Sequence, residues 1–142
     1  MALTLSLAQT IVSHALVLGR ARGMKPLTVV VLDARAAVIA VASEDGSSID
    51  RFHIARAKAR GALAFNLGSR AVEKVATDRP HFCAGVAPMI EGGIVPVAGG
   101  VLARNADRAV LGAVGVTGDS SDNDEAVGLA GVLAAGLVGD GG

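Results

Sequence analysis

Three histidines, a glutamate beside a glycine pair and a basic stretch of one helix are the groups in this 142-residue chain best suited to chemistry. Glu91 stands directly before Gly92 and Gly93. A carboxylate next to unshielded backbone N–H groups can combine proton transfer with anion or oxyanion binding; otherwise Glu91 is an exposed turn residue at a strand start. His53 follows Asp50 by three residues at a Ser48-Ile49-Asp50 helix start. It can act as a general base or a ligand, or be a solvated histidine paired with Asp50. His81 and Cys83 alternate, so an extended chain points both the same way. Two ligands without a partner set make a weak metal signal, and Cys83 alone reads as a small buried hydrophobe. His14 shares an apolar helical stripe with Leu7, Ile11 and Leu18, as a ligand or as a core-edge histidine bonded to backbone. Arg56 and Arg60 are one helical turn apart. Like charges at that spacing repel, so they need solvent, a carboxylate or an anionic ligand. Asp119, Asp122, Asp124 and Glu125 have the oxygens for a hard cation. Helix capping accounts for them without one, and no metal site is assigned.

The elements that must carry these residues follow from the apolar pattern. Spacings of three and four predict a first helix over residues 4–22, capped by Thr4 or Ser6 and ended by Gly23. Beside its Leu7–Leu18 stripe runs a second, smaller one of Ala8, Val12, Ala15 and Gly19. Residues 27–32 are continuously apolar and β-branched, as in a strand covered on both faces. Asp33 begins a turn by bonding its own backbone, and residues 38–42 return as the partner strand. A helix follows over residues 49–65, with Ser47 and Asp50 resembling a capping box. Residues 68–82 read as irregular, with a short helix at 70–77. Strands at 94–102 and 109–116 form a second hairpin, in which Gly112 and Gly115 leave room for close approach to the backbone. Ser120 caps a last helix whose Gly128, Gly131 and Ala135 share a face. Residues 137–142 read as a frayed tail.

Two hairpins with intervening helices imply one α+β domain spanning residues 1–142, an antiparallel sheet covered by helices. A dinucleotide-binding fold is disfavoured, because no G-x-G-x-x-G opens a helix after a strand. The chain is 51% hydrophobic with a formal net charge of zero. That excludes a disordered tail and the basic footprint of a nucleic-acid binder. With no Trp or Tyr and three Phe, base-stacking platforms are nearly excluded too. An uncharged, apolar-rich surface favours self-association, so a homo-oligomer is expected. The single cysteine makes no internal disulfide. The apolar run ending at Leu18 is too short to span a bilayer and a weak match to a signal peptide; a cytoplasmic protein that contacts no membrane is expected.

Several of these blocks together resemble the GlcG/HbpS family of small bacterial proteins, which includes the C-terminal domain of PduO-type proteins. They are Val31-Leu32-Asp33, Ser48-Ile49-Asp50, Lys58-Ala59, Gly92-Gly93-Ile94-Val95-Pro96, and residues 112–118 followed by Asp124-Glu125. The last block is the most specific. The resemblance covers roughly residues 8–135 and implies a profilin-like, homo-oligomeric domain that holds a small ligand. Some members bind haem or related tetrapyrroles, and others are proposed to act on aromatic metabolites. It departs from the family pattern at Ala34-Arg35, at Glu91 in a glycine triplet, and at Asp119. Two functions follow. One is a ligand-binding protein, possible for haem, with His14, His53 or His81 as ligand and Lys58, Arg56, Gly92 and Gly93 in the binding site. The other is a small catabolic lyase, isomerase or hydrolase. There His53, Glu91 and His81 would move protons, while Lys58 or Arg56 holds a substrate carboxylate.

Overall fold

The computed structural model describes residues 2–142. In chain order the elements are α1 (Leu5–Ala21), β1 (Thr28–Asp33), β2 (Val38–Ser43), α2 (Arg51–Phe65), α3 (Ser69–Asp78), α4 (Pro80–Val86), β3 (Gly100–Arg104), β4 (Val110–Thr117), α5 (Ser121–Ala134) and β5 (Val138–Asp140). The five strands form one antiparallel sheet in the order β2-β1-β4-β3-β5. The period-two alternation of strands sorts the core into two halves. Val29, Val31, Val101, Ala103, Val114 and Val116 meet α1 and α5 on one face. Val30, Leu32, Leu102 and Ala113 meet α2 on the other.

Helix α1 starts where Thr4 Oγ1 accepts from Leu7 N at 3.2 Å and ends before Gly23 in the left-handed region. Its buried residues are Ala8, Ile11, Ala15 and Gly19. The buried line thus takes Ala8, Ala15 and Gly19 from the small-residue stripe and Ile11 from the other, while Val12 is only partly buried and His14 faces outward. Small side chains let helices approach closely: a Cβ on Gly131 of α5 would lie 2.6 Å from the Ile11 carbonyl oxygen. On the opposite face, Gly115 of β4 lies so near the Ala55 carbonyl of α2 that any side chain would collide. In the β1–β2 turn, Asp33 Oδ1 accepts from Arg35 N at 2.8 Å and Ala37 N at 3.0 Å, the local bond expected of that aspartate.

Several expectations are corrected. No capping box opens α2. Asp50 sits at the N-cap with φ 68° and makes no side-chain cap bond, while Ser47 Oγ donates to the Leu27 carbonyl. The stretch expected to be irregular is mostly helical, because Pro80 takes the first position of α4, where its missing N–H has no helical partner to lose. His81 and Cys83 therefore lie on a helix, where residues two apart diverge; Cys83 is buried and His81 exposed. Strand β3 begins at Gly100 rather than at residue 94. Pro96 has no N–H to give a ladder, and the Gly100 N–H bonds Ser69 Oγ at 2.6 Å.

The tail is not frayed. β5 pairs with β3 through Leu102↔Asp140, Ala103↔Gly139 and Arg104↔Val138. Asp140 accepts from Arg104 Nε at 3.1 Å, and the Gly141 carbonyl accepts from Arg70 N at 3.1 Å. Leu137 is buried in the core. Truncation after Gly136 should destabilise the protein by at least about 2 kcal/mol, the order of one buried leucine. Urea unfolding of the truncated chain measures this; an unchanged midpoint would show that the tail contributes nothing.

Candidate functional site

Lys58 and Asp124 form the buried polar centre. Lys58 lies on the small-residue face of α2, and its side chain is 3% exposed against 1% for Asp124. Lys58 Nζ donates to the Val116 carbonyl at 2.9 Å and to Asp124 Oδ2 at 3.3 Å. Asp124 Oδ1 accepts from Asp119 N at 3.0 Å. Gly99, at φ +120°, closes over the amine: a Cβ there would stand 2.8 Å from Nζ. Burial pulls the lysine below its ordinary range, and the Asp124 charge opposes it. Burial likewise raises Asp124, opposed by Lys58. Lys58 thus ties α2 to β4 and α5, and its amine has no open side for a ligand.

The rest of the acidic run is also engaged. Asp122 and Glu125 pair with Arg70 at 2.6 and 3.0 Å. Ser120 Oγ accepts from Asn123 N at 3.2 Å, the cap expected from sequence. The Asn123 side chain turns instead to Asp119. Asp119 accepts from Lys25 N, from Asn123 Nδ2 and from Ser120 N at 2.8–2.9 Å. Those donors, Lys25 N–H foremost, lower its pKa to about 2.

The second cluster gathers around Glu91. Glu91 Oε2 accepts from Arg56 Nη2 at 2.6 Å and lies 3.8 Å from Arg60 Nη1. Of the three partners open to these like charges, solvent, a carboxylate or an anionic ligand, the structure supplies a carboxylate. The Arg56 hydrogen bond, then its charge, hold the Glu91 carboxyl below its ordinary value. Gly92 and Gly93 take φ of 83° and 73°, a left-handed turn that suits glycine. A Cβ on Gly92 would meet Arg56 Nη1 at 3.1 Å, so the guanidinium packs against the glycine backbone. Arg56 Nε is buried without a partner.

The histidines do not join this cluster. His53 is exposed, 4.0 Å from Asp50 Oδ1 and edge-on to Phe52. His81 is exposed on α4. Among the described residues no hydrogen bond or ion pair links either of them to Glu91. His14 lies on the outer side of α1, where Ser6, Gln9, Thr10 and Ser13 surround it. Gln9 and Ser13 also line a groove of about 600 Å³ between α1 and β2, with Leu5, Val12, Ile39, Ala40 and Val41 as its apolar walls.

Residues 3–133 match the family described as haem degrading protein HbpS-like. The chain belongs to the HbpS-like family. No match is found among curated protein sequences. Among solved structures, HbpS itself has a TM-score of 0.80 at 25% identity, over 94% of this chain and 89% of that one. A PduOC–haem complex has a TM-score of 0.84 at 19% identity, over 96% of this chain and 97% of that one. The Klebsiella pneumoniae protein ORFY has a TM-score of 0.82 at 19% identity, over 94% and 90%. The last two likenesses establish the HbpS-like fold alone.

Sequence reasoning missed Asp124 as the partner of Lys58, and the α1–β2 groove. A signal for Asp124 existed: with Val127, Gly128 and Gly131 it falls on the buried face of α5. Lys58→Ala should cost about 3–5 kcal/mol, since it leaves a buried carboxylate unpaired. The Lys58→Met, Asp124→Leu double variant should be more stable than that single variant in urea unfolding. Asp119 gives a pH prediction. Its folded pKa of about 2 lies below the ordinary 3.8, so its contribution to stability is full above 3.8 and vanishes as pH falls through about 2. Acid unfolding of Asp119→Asn should therefore depend less steeply on pH across that window; an unchanged slope would count against it.

Proposed function

We propose that this HbpS-like protein is a homo-oligomeric small-ligand-binding protein that takes up haem or a related tetrapyrrole, whose iron His14 would hold. The observation that carries this reading is the groove between α1 and β2; the hollow lined by His14 is a separate one that shares Gln9 and Ser13 with it. The groove's volume of about 600 Å³ falls within the roughly 300–1,000 Å³ of small-molecule and cofactor sites. The residues fit the group: apolar side chains wall the groove, and an exposed imidazole in the adjoining hollow, beyond Gln9 and Ser13, would supply a nitrogen for the iron. Bound haem would supply a redox-active iron. Neither His53 nor His81 lines that groove or the adjoining hollow. Family membership and the haem-bound PduOC structure support the same ligand class.

Exposed apolar residues outside the groove support self-association. Val17 on α1 and Val38 on the edge strand β2 are exposed, and a second copy would remove them from water. The acid/base reading has less support, because Glu91 already accepts a short bond from the Arg56 guanidinium. Among the described residues no helix is long and apolar enough to cross a membrane.

Haem titration of the purified protein tests the proposal. A saturable Soret shift is expected in the wild type, in His53→Ala and in His81→Ala, and a shift at least tenfold weaker in His14→Ala. No shift, or an equal one in all three variants, would remove it. Light scattering should give a mass that is a multiple of 14.1 kDa; a monomer would refute the oligomer.

A further inference from the structure

On the α2 face of the sheet, away from the α1–β2 groove, lies a notch of about 280 Å³ whose walls include Arg35, Arg60, Leu63, Ala64, Met89 and Ile90. It is formed by the β1–β2 turn, the second half of α2 and the turn Ala87–Met89 with Ile90. Both of its guanidiniums are under-used. Arg60 comes only within 3.8 Å of Glu91, and Arg35 only within 3.6 Å of Asp33; both distances are beyond a good hydrogen bond. Asp33 Oδ1 accepts from the backbone N–H groups of Arg35 and Ala37, and only its Oδ2 faces the Arg35 guanidinium. Glu91 gives its short bond to Arg56. No carboxylate lines the notch itself. Beside the two cations stands Met89, 82% exposed, a large apolar side chain left in water.

We propose that this notch binds a small organic monocarboxylate with an apolar body. Arg60 and Arg35 hold the carboxylate, and Leu63, Ala64, Met89 and Ile90 cover the body. Two convergent guanidiniums suit a planar carboxylate, which accepts several N–H bonds at once. An inorganic anion would satisfy the arginines and leave the apolar wall wet. A neutral apolar molecule would cover Met89 and leave the arginines without an acceptor. Glu91 has a specific part here. Its carboxylate already neutralises Arg60 from outside the notch, so it competes with the incoming anion and weakens its hold. The site shares no residue with the α1–β2 groove and does not depend on the haem reading.

The test is an NMR titration of the ¹⁵N-labelled full chain with sodium benzoate at fixed ionic strength, with phosphate and benzyl alcohol as separate probes. Benzoate should give saturable shifts confined to residues 34–36, 60–64 and 89–91. Arg60→Gln and Arg35→Gln should each weaken binding about tenfold, the order expected for one lost charge-assisted bond. Glu91→Gln should tighten it severalfold. Arg35 is exposed in a turn, so its variant remains informative if Arg60→Gln fails to fold. Three results would overturn the proposal: no saturable shift with benzoate, an equal response to phosphate or to benzyl alcohol, or unchanged affinity in Arg35→Gln.

Discussion

A buried lysine facing a buried aspartate constrains this fold more than any other contact. Lys58 and Asp124 lie 3.3 Å apart with almost no access to water, and each is further bonded to backbone. Removing two charges from water costs several kcal/mol per ion, and their attraction repays it only when geometry and further hydrogen bonds are good. The pair therefore adds little net stability over an apolar pair of the same shape. It demands instead that α2, the end of β4 and the first turn of α5 meet in one arrangement, because any shift leaves a charge unpaired. Gly99, in a conformation few other residues adopt, completes the enclosure.

That arrangement depends on how near the helices lie to the sheet. The buried face of α2 is Ala55, Ala57, Lys58, Ala59, Gly61 and Ala62, and Gly115 opposes the Ala55 carbonyl. A larger residue at either surface would lift α2 and draw Lys58 away from Asp124. On the other face Gly131 allows α5 to reach the Ile11 backbone of α1. Small residues thus set the thickness of the domain, and the ion pair sets its register. The arginines of α2 that flank Lys58 in sequence then come to lie over the Glu91 turn and the β1–β2 turn.

Much of the scaffold was legible in the sequence because its signals are local. The Asp33 turn, the Thr4 and Ser120 caps and the two hairpins each rest on residues within a few positions of one another. That Arg56 and Arg60 need solvent, a carboxylate or an anionic ligand was also legible from their spacing; which of these it is was not, and Glu91 supplies the carboxylate from 31 residues beyond Arg60. What escaped is non-local. β5 is three residues long and exists only because β3 offers an edge. Lys58 stood among alanines at buried-face spacing, but its partner lies 66 residues away. For α4 the local signal was present, a proline at a helix start, and was outweighed by the polar Thr77-Asp78-Arg79 turn before it. His14 shows the limit of periodicity: two stripes on α1 compete for the core, and the buried line takes Ile11 from one and Ala8, Ala15 and Gly19 from the other, leaving His14 outside.

The β1–β2 hairpin belongs to both proposed ligand surfaces. Its turn, Ala34–Ala36, walls the arginine notch on the α2 face, while Ile39, Ala40 and Val41 line the groove beside α1. The two strands differ sharply in freedom. β1 is paired on both sides, by β2 and β4, and its side chains are buried on both faces of the sheet. β2 pairs on one side only and is half exposed along its length. Pairing slips between Val31 and Leu32, so the turn end of the hairpin is out of phase with the strand end. Such a bulge raises local twist and bends the strand. Here it directs the turn toward α2 while the returning strand stays against α1, which is how a six-residue edge strand and its turn can serve opposite faces of one sheet.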